Sequence, residues 1–238
     1  MPNKTVAFST KNHIAAITLL NPSIDRDAAQ ELTDICRQIT ADNDIYVVIL
    51  TGSDGAFCTG SKNNASASTA VASIGQPVVA AINGDALGVG LEIALTCDIR
   101  IASDKARFAM PQVAGGAIPE GGGTQRLARI VGRGKALELL LTAESITAAE
   151  ALEIGLVSKI VPAGALGGEA AKLAETIASK GPIALRYLKE AVLKGMDLTL
   201  EQGLKLEADL YFLLHTTSDR TEGIKSFLEK RPPEYKGK

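Results

Sequence analysis

The chain has 238 residues, of which 22% are charged and 46% hydrophobic, and its formal net charge is −2. This length allows one α/β core with a small C-terminal subdomain, and the near-neutral charge argues against a nucleic-acid-binding surface over the whole protein. Because there is no N-terminal signal pattern and no apolar run of the roughly 18 residues needed to cross a bilayer, we expect a cytoplasmic protein with no nucleic-acid or membrane partner.

The N-terminal third alternates between strand and helix patterns. Residues 5–8 and 14–20 are apolar or alternating on either side of a polar stretch, which is typical of a β-hairpin. A helix is predicted from a cap at Asp27 to about residue 41, because apolar residues recur there at helical spacing. Residues 46–51 (YVVILT) predict a buried strand, and residues 52–60 a loop at its carboxyl end. Strand, helix and strand in this order predict right-handed crossovers and a parallel sheet.

The next elements place a carboxylate just inside a helix that follows a glycine-rich turn. Residues 78–83 predict a strand, residues 88–90 (Gly-Val-Gly) a tight turn, and residues 91–96 an apolar helix interrupted only by Glu92. The first N–H groups of a helix have no intrahelical acceptor and lie at the positive end of its dipole. Such a turn is therefore suited to a developing anion.

A second glycine run repeats this arrangement. Residues 121–123 (Gly-Gly-Gly) precede another apolar helical pattern over 127–141, and Glu120 stands immediately before them. Two helix N-termini and two acids thus occur within residues 82–126.

The remaining chain predicts strands over 99–102 and 106–109, a helix over 148–154 between a Thr147 cap and a Gly155 stop, and an extended segment over 156–161. Helices are predicted over 168–179, 183–194 and 199–215, and from about 219.

Several motifs follow one another in a recognisable order along nearly the whole chain: VVILTGSDGAFCTG, DALGVGLEIALTCD, FAMPQ, GGAIPEGGGTQRL, LTAESITAAEALEIGLVSKIVP and DRTEGIKSFLEKR. This order resembles the crotonase, or enoyl-CoA hydratase/isomerase, superfamily. The resemblance implies an α/β fold with a crotonase-like ββα spiral core and parallel sheets over residues 1–180, and a C-terminal helical trimerisation or lid region over residues 181–238. It also implies an acyl-CoA substrate and a homo-oligomer, either a trimer or a dimer of trimers. No cofactor is implied, since coenzyme A is part of the substrate.

The resemblance also implies an oxyanion hole for the thioester carbonyl. In the family, two backbone N–H groups from loops at the carboxyl ends of strands form it, and the matching positions here are Ser61 and Val89. The alternative is that these are two ordinary turns between sheet and helix. Val89 stands where the family has glycine, and its β-branched side chain narrows the allowed backbone angles.

The acids that the resemblance identifies as catalytic are Glu92 and Glu120. Family hydratases use two glutamates; the first matches Glu92, whereas the second matches Gln112, which cannot serve as an acid or base. Glu120 lies eight residues later, where dienoyl-CoA isomerases of the family place an acid. The pair is expected to move protons in double-bond isomerisation or hydration, with Gln112 orienting substrate or water. The alternatives are that Glu92 is satisfied at a helix dipole and that Glu120 caps a helix.

Other segments carry further expectations. Residues 62–76 are shorter than in the family and predict a flexible loop with at most one helical turn. The positions that match coenzyme A phosphate ligands are Lys225, Lys230 and Arg231; the alternative is that they are solvated surface charges. Tyr211, Phe212 and Phe227 are expected in the core, with acyl-pocket lining as the alternative. Cys36, Cys58 and Cys97 lack metal-ligand spacing and are expected to be buried thiols, so no metal is expected.

A second class of function stays open from the sequence. The short 62–76 segment and Gln112 favour a protein of this fold that has lost catalysis and serves as an acyl-CoA-binding or scaffolding module. Retention of both glycine turns and both acids favours an enzyme.

Overall fold

The computed structural model describes residues 5–53, 55–62 and 66–238. The strands are β1 (Val6–Lys11), β2 (Ile14–Leu19), β3 (Ser23–Ile24), β4 (Val47–Gly52), β5 (Ala56–Cys58), β6 (Gly60–Ser61), β7 (Val78–Ile82), β8 (Asp85–Leu87), β9 (Ile99–Ser103), β10 (Arg107–Ala109), β11 (Ile146–Thr147) and β12 (Lys159–Val161). The helices are α1 (Arg26–Ala41), α2 (Ser68–Ala72), α3 (Val89–Thr96), α4 (Gly123–Val131), α5 (Arg133–Thr142), α6 (Ala148–Glu153), α7 (Leu166–Ala178), α8 (Pro182–Gly195), α9 (Leu200–Leu214) and α10 (Ser218–Glu229). Within these described ranges, no helix is long and apolar enough to cross a membrane.

The larger sheet has the strand order β1-β2-β4-β7-β9-β12. Strands β1 and β2 form an antiparallel hairpin whose turn residues Asn12 and His13 have φ values of 50° and 65°. Positive φ at both central residues is typical of the tight type I′ hairpin turn. From β2 onward, every neighbouring pair is parallel. The predicted hairpin and parallel sheet are confirmed.

Both faces of this sheet are covered, as parallel sheets require. Val47 and Val79 pack on one face against Leu166, Ala170 and Ala174 of α7. The residues that alternate with them along the strands point to the other face, where they join the main hydrophobic core with α1 and α3.

A second sheet, with the order β11-β10-β8-β5, carries the candidate site. Strands β5, β8 and β10 run parallel, whereas β11 is antiparallel to β10. The sequence predicted a loop over residues 52–60 and a direct turn after residue 83, and both predictions are wrong because β5, β6 and β8 lie there. These strands are only two or three residues long, so they are too short to show an alternating pattern of their own.

Helix α1 begins two residues earlier than predicted. Asp25, rather than Asp27, is its N-terminal cap, and the Oδ1 atom of Asp25 accepts the Ala28 N–H at 2.9 Å. Asp27 lies in the first turn, where its negative charge interacts favourably with the helix dipole although it does not cap the helix. The predicted apolar face is confirmed, since the following side chains of α1 are buried: Leu32, Ile35, Cys36 and Ile39.

The helical pattern over residues 127–141 corresponds to two helices rather than one. Gly132 separates α4 from α5 with φ 80° and ψ 157°, angles that a side chain would strain. The Thr147 cap is confirmed and forms a full capping box with Glu150, and Gly155 follows α6 with φ 75°.

The segment predicted as a flexible loop over residues 62–76 is packed where the structure describes it. Residues 63–65 lie outside the described part. Beyond them, α2 is a single five-residue turn, in line with the prediction of at most one helical turn. Ala67, Val71 and Ile74 are buried in the main core, so this part of the segment is not a surface loop.

The C-terminal helices join the core through polar contacts. Lys189 on α8 forms an ion pair of 2.8 Å with Asp98, and both side chains are largely buried. The Tyr46 hydroxyl donates to the Tyr235 carbonyl at 3.2 Å. The boundary predicted at residue 180 falls between α7 and α8, and the division into two regions stays a prediction.

Large apolar side chains are exposed along α8, α9 and α10. We define the C-terminal apolar surface as the set Leu188, Val192, Leu193, Leu200, Leu204, Tyr211, Phe212, Leu213, Ile224, Phe227 and Leu228. Tyr211, Phe212 and Phe227 are 54%, 68% and 82% exposed, so the prediction that they lie in the core is wrong for the single chain. The main sheet already has α7 on its outer face, and among the described residues none from α8, α9 or α10 belongs to either hydrophobic core cluster.

Candidate active site

The candidate site lies at the carboxyl edge of the second sheet. One residue from each of three neighbouring parallel strands stands at the same level: Cys58, Ala86 and Phe108. The chain then continues from all three strands past the same edge, and within three or four residues it reaches Ser61, Val89 and Gln112. The residues that the sequence predicted as oxyanion donors and as a substrate-orienting amide therefore leave neighbouring strands side by side.

Ser61 presents its backbone N–H away from its strand partner. Strand β6 pairs only with β3, and the N–H of the next residue, Lys62, donates to the Ile24 carbonyl at 2.7 Å. Successive residues of a strand direct their N–H groups to opposite edges. The Ser61 N–H thus points to the edge of β6 that has no neighbouring strand in the described part of the chain.

Val89 is the first residue of α3, so its N–H has no acceptor within the helix. The preceding Gly88 has φ 55° and ψ −117°, a conformation suited to glycine. Gly90 allows α3 to touch β5, because a Cβ atom there would lie 1.8 Å from the Cys58 carbonyl oxygen. This contact fixes the start of α3 against the strand that leads to Ser61.

Glu92 is buried one turn into α3 and is held by the second glycine turn. The residue is only 1% exposed. Its Oε1 atom accepts hydrogen bonds from the N–H groups of Gly121 at 2.6 Å and Gly123 at 3.0 Å. The described residues donate no hydrogen bond to its other oxygen, Oε2. Backbone N–H groups of the second glycine turn therefore fix one of the two carboxylate oxygens.

Burial raises the pKa of Glu92 above its ordinary value. The two N–H groups of the turn oppose this rise because they stabilise the carboxylate, and the positive charge of Arg126 lowers the pKa further. The negative charge of Glu120 acts in the same direction as burial. The two acids are thus close enough to interact electrostatically.

The second glycine turn binds an anion that the protein itself supplies. The sequence predicted that a helix N-terminus after a glycine turn suits a developing anion. At the N-terminus of α4, this place is occupied by the Glu92 carboxylate. A Cβ atom at Gly121 would lie 2.7 Å from the Ser68 hydroxyl and 3.1 Å from the Glu92 carboxyl carbon. Glycine is therefore needed there because two side chains crowd the backbone.

Ser68 is a neighbour of Glu92 that the sequence did not single out. It is fully buried at the start of α2, and its hydroxyl is 3.2 Å from the Ser66 hydroxyl. The surrounding run of small polar residues resembles a solvent-exposed loop, so no local signal separates Ser68 from its neighbours.

Gln112 lies in the 3-10 turn Pro111–Gly115 that follows β10. Its amide nitrogen faces Gly88 and would lie 3.6 Å from a Cβ atom if residue 88 had a side chain. Its Oε1 atom is buried and has no hydrogen-bond partner among the described residues. A buried amide oxygen without a partner costs free energy unless a ligand or water donates to it.

Glu120 is exposed, at the residue before the second glycine turn. It does not cap α4, because the N-terminal cap is Gly122 and no side chain bonds there. This removes the capping alternative. Glu120 acts on Glu92 through its charge, and its role in proton transfer stays a prediction.

The basic side chains proposed for coenzyme A phosphates lie at the C-terminal end of the chain. Arg231 pairs with Glu222 at 2.5 Å and with Glu229 at 2.7 Å. Lys225 and Lys230 form no ion pair with any residue that the structure describes. The structure does not bring these three residues into contact with Glu92 or Ser61.

A cavity of about 500 Å³ lies between α8, α9 and α10, away from Glu92. Its walls are mostly apolar and include Ile183, Leu214, Ile224 and Phe227. None of its lining residues comes from the segments that carry the two acids. The size of a cavity alone therefore does not identify the reacting site.

Known proteins resemble this chain over almost its whole length. Residues 9–238 match the family Enoyl-CoA hydratase/isomerase. The (E)-benzylidenesuccinyl-CoA hydratase of Thauera aromatica is 38% identical over 98% of this chain and 99% of its own, and the 2,3-dehydroadipyl-CoA hydratase of Escherichia coli is 37% identical over 98% and 96%. A crystal structure of an enoyl-CoA hydratase from Bacillus anthracis superposes with a TM-score of 0.95 at 38% identity, covering 99% of this chain and 100% of that one.

Proposed function

The chain belongs to the enoyl-CoA hydratase/isomerase family, the crotonase superfamily, and has its fold; on this premise we propose that it shifts a carbon–carbon double bond in an enoyl-CoA thioester, with Glu92 and Glu120 moving the protons. The N–H groups of Ser61 and Val89 bind the thioester oxygen as it gains charge. This chemistry uses no cofactor, since coenzyme A is part of the substrate.

The observation that carries the proposal is the placement of Glu92. Its carboxylate is buried, it belongs to the helix whose first N–H is that of Val89, and among the described residues backbone donors bind only its Oε1 atom. An α-proton becomes acidic when the thioester oxygen is held by hydrogen-bond donors, and a carboxylate within reach can then take it. The raised pKa of Glu92 suits this role, because proton transfer is most efficient when the pKa of the base approaches the working pH.

An isomerisation needs a proton taken at one carbon and a proton returned at another. Glu120 supplies a second acid close enough to affect the pKa of Glu92, and it is exposed, so it can exchange protons with solvent. Gln112, in contrast, has no ionisable proton. The two acids therefore divide the transfers between them.

Hydration is the second candidate, and the buried Oε1 atom of Gln112 favours it. This acceptor lacks a partner among the described residues, and a water molecule that donates to it would be held for attack on the double bond. Glu92 alone would then move the proton. The names of two relatives, which are both CoA-ester hydratases, favour the same chemistry.

The deciding experiment mixes the protein with 2-enoyl-CoA and 3-enoyl-CoA esters of several chain lengths. Isomerisation of a 3-enoyl-CoA raises the near-ultraviolet absorbance of the conjugated thioester without changing its mass. Hydration of a 2-enoyl-CoA lowers that absorbance and adds the mass of one water molecule. Binding of acyl-CoA with neither change at any chain length would overturn the enzyme proposal in favour of a binding or scaffolding module.

A further inference from the structure

The Arg126 side chain folds back over the glycine turn that holds Glu92. Its Nη1 atom donates to the Gly121 carbonyl at 2.6 Å. The guanidinium lies so close over Gly122 that a Cβ atom there would be 2.2 Å from Nη1. The side chain is half-buried by this arrangement.

The position of this arginine in its helix needs an explanation. Arg126 lies in the first turn of α4, where a positive charge opposes the helix dipole. An arginine at this end is unfavourable unless another interaction offsets the repulsion. The hydrogen bond to the Gly121 carbonyl supplies that interaction, since hydrogen bonds that involve a charged donor are stronger than neutral ones.

The carbonyl that Arg126 binds lies between the two donors that hold Glu92. Gly121 and Gly123 give their N–H groups to Glu92 Oε1, and the Gly121 carbonyl belongs to the intervening backbone. Three consecutive glycines have the greatest backbone freedom of any sequence, so this turn has little intrinsic rigidity. A catalytic carboxylate, however, must be held within about 0.5 Å of its working position.

We propose that Arg126 is a positioning residue: it pins the Gly121–Gly123 turn and so fixes Glu92 Oε1, leaving Oε2 aimed at the substrate. The inference rests on the proposed function, in which Glu92 moves a proton. Arg126 does not touch the reacting carbons and acts through the turn.

The charge of Arg126 gives the role a measurable signature. The charged groups that act on Glu92 are Glu120, which raises its pKa, and Arg126, which lowers it. Removing the guanidinium charge therefore raises the pKa of Glu92. If Glu92 must be ionised to take a proton, the acidic limb of the kcat/KM profile then moves to higher pH.

The test compares Arg126→Met, Arg126→Lys and the control Arg129→Met. Arg129 lies one turn further along α4, where it contacts Gln125 and Asp197 at the surface. We expect Arg126→Met to lower kcat by about 10- to 100-fold, the range known for outer-shell residues that orient metal ligands, with little change in acyl-CoA affinity. Arg126→Lys keeps the charge but not the planar donor group, so it should keep the wild-type pH limb while losing part of kcat. Arg129→Met should behave as wild type.

The outcomes separate this inference from the proposed function. If Glu92→Gln abolishes turnover while Arg126→Met keeps both kcat and the pH limb, the positioning role is wrong and the function stands. If Glu92→Gln is fully active, the function fails, whatever the arginine variants do. Should Arg126→Met not fold, two other measurements test the inference: the rescue of Arg126→Ala by added guanidinium ion, and the pH profile of kcat in Arg126→Lys. The inference is overturned if guanidinium ion restores no activity to Arg126→Ala and Arg126→Lys shows no selective loss of kcat.

Discussion

The Oε1 atom of Glu92 lies 2.6 Å from the backbone nitrogen of Gly121, a residue 29 positions further along the chain. This hydrogen bond joins the helix that follows the first glycine turn to the helix that follows the second. The carboxylate is at once a structural anion for the second helix N-terminus and the candidate base of the first. A variant that removes its charge should therefore change both turnover and stability, and the two effects can be measured separately.

Glu92→Gln and Glu120→Gln should each lower turnover while leaving acyl-CoA affinity nearly unchanged. A positioned general acid or base contributes about 10²–10⁴-fold to the rate, and a glutamine keeps the shape of the side chain without its proton chemistry. Steady-state kinetics with an enoyl-CoA ester, together with calorimetric binding, measure both quantities. Full activity in Glu120→Gln beside a dead Glu92→Gln would replace the two-acid mechanism by a single-glutamate one.

Glu92→Gln should be more stable than the wild type at neutral pH. The folded-state pKa of Glu92 is raised above 4.5, so its contribution to stability is fully present below that pH and is lost as the pH rises through the raised value. Glutamine has no such loss, because it never carries the buried charge. Urea unfolding of both proteins across a pH series should show a gap that closes below pH 4.5. A constant gap at every pH would contradict the raised pKa.

The parts of the fold that the sequence predicted are those with a long local pattern. The hairpin, the apolar face of α1 and the Thr147 cap each follow from periodicity or from a capping residue within a few positions. The short strands β5 and β8 have no such pattern. They exist because parallel neighbours pair with them, so only the tertiary structure defines them.

The sequence singled out the residues of the candidate site, whose roles stay predictions, but it did not predict the contacts among them. Glycine turns and acids identified Glu92 from the sequence. That Gly121 and Gly123 bind this carboxylate, and that Ser68 lies against the same turn, depends on the packing of α2, α3 and α4. Long-range contacts of this kind leave no spacing signal in a single sequence.

Coenzyme A should bind through Lys225 or Lys230 rather than through Arg231 in the isolated chain. Arg231 already pairs with Glu222, and this pairing lowers the pKa of Glu222 to about 2. Alanine at a lysine that contacts phosphate should weaken binding about tenfold, because a hydrogen bond to a charged group contributes about 1.5 kcal/mol or more. Calorimetry at two salt concentrations measures this loss. Unchanged affinity in both lysine variants would place the phosphates elsewhere.

The protein should be a trimer or a dimer of trimers in solution. The C-terminal apolar surface exposes more large apolar side chains than a monomer usually leaves to water. We expect Phe212→Glu to dissociate the assembly, because a charge buried in an interface without a partner is strongly unfavourable, and Phe212→Leu to leave it intact. Sedimentation measures the mass of each. A wild-type monomer at micromolar concentration would contradict the prediction.

Gln112→Glu should increase the addition of water to a short 2-enoyl-CoA. The amide of Gln112 already faces Gly88, at the start of the helix that carries Glu92, so a glutamate there would place a second carboxyl group beside the same substrate carbons. Packing should be preserved because the change is nearly isosteric. The amide oxygen at this position is buried and has no partner among the described residues. A carboxylate at that point can accept a proton from a bound water molecule, which an amide cannot do.

A second glutamate should raise hydration by up to about 10²-fold, the lower end of the range for a positioned acid or base. Gln112→Met is the matched control, since it keeps the volume but neither accepts nor donates a proton. Product mass and absorbance distinguish added water from a moved double bond. If Gln112→Met abolishes hydration that the wild type performs, the native amide itself orients the water. If Gln112→Glu gains nothing although it still binds acyl-CoA, the attacking water does not lie beside residue 112.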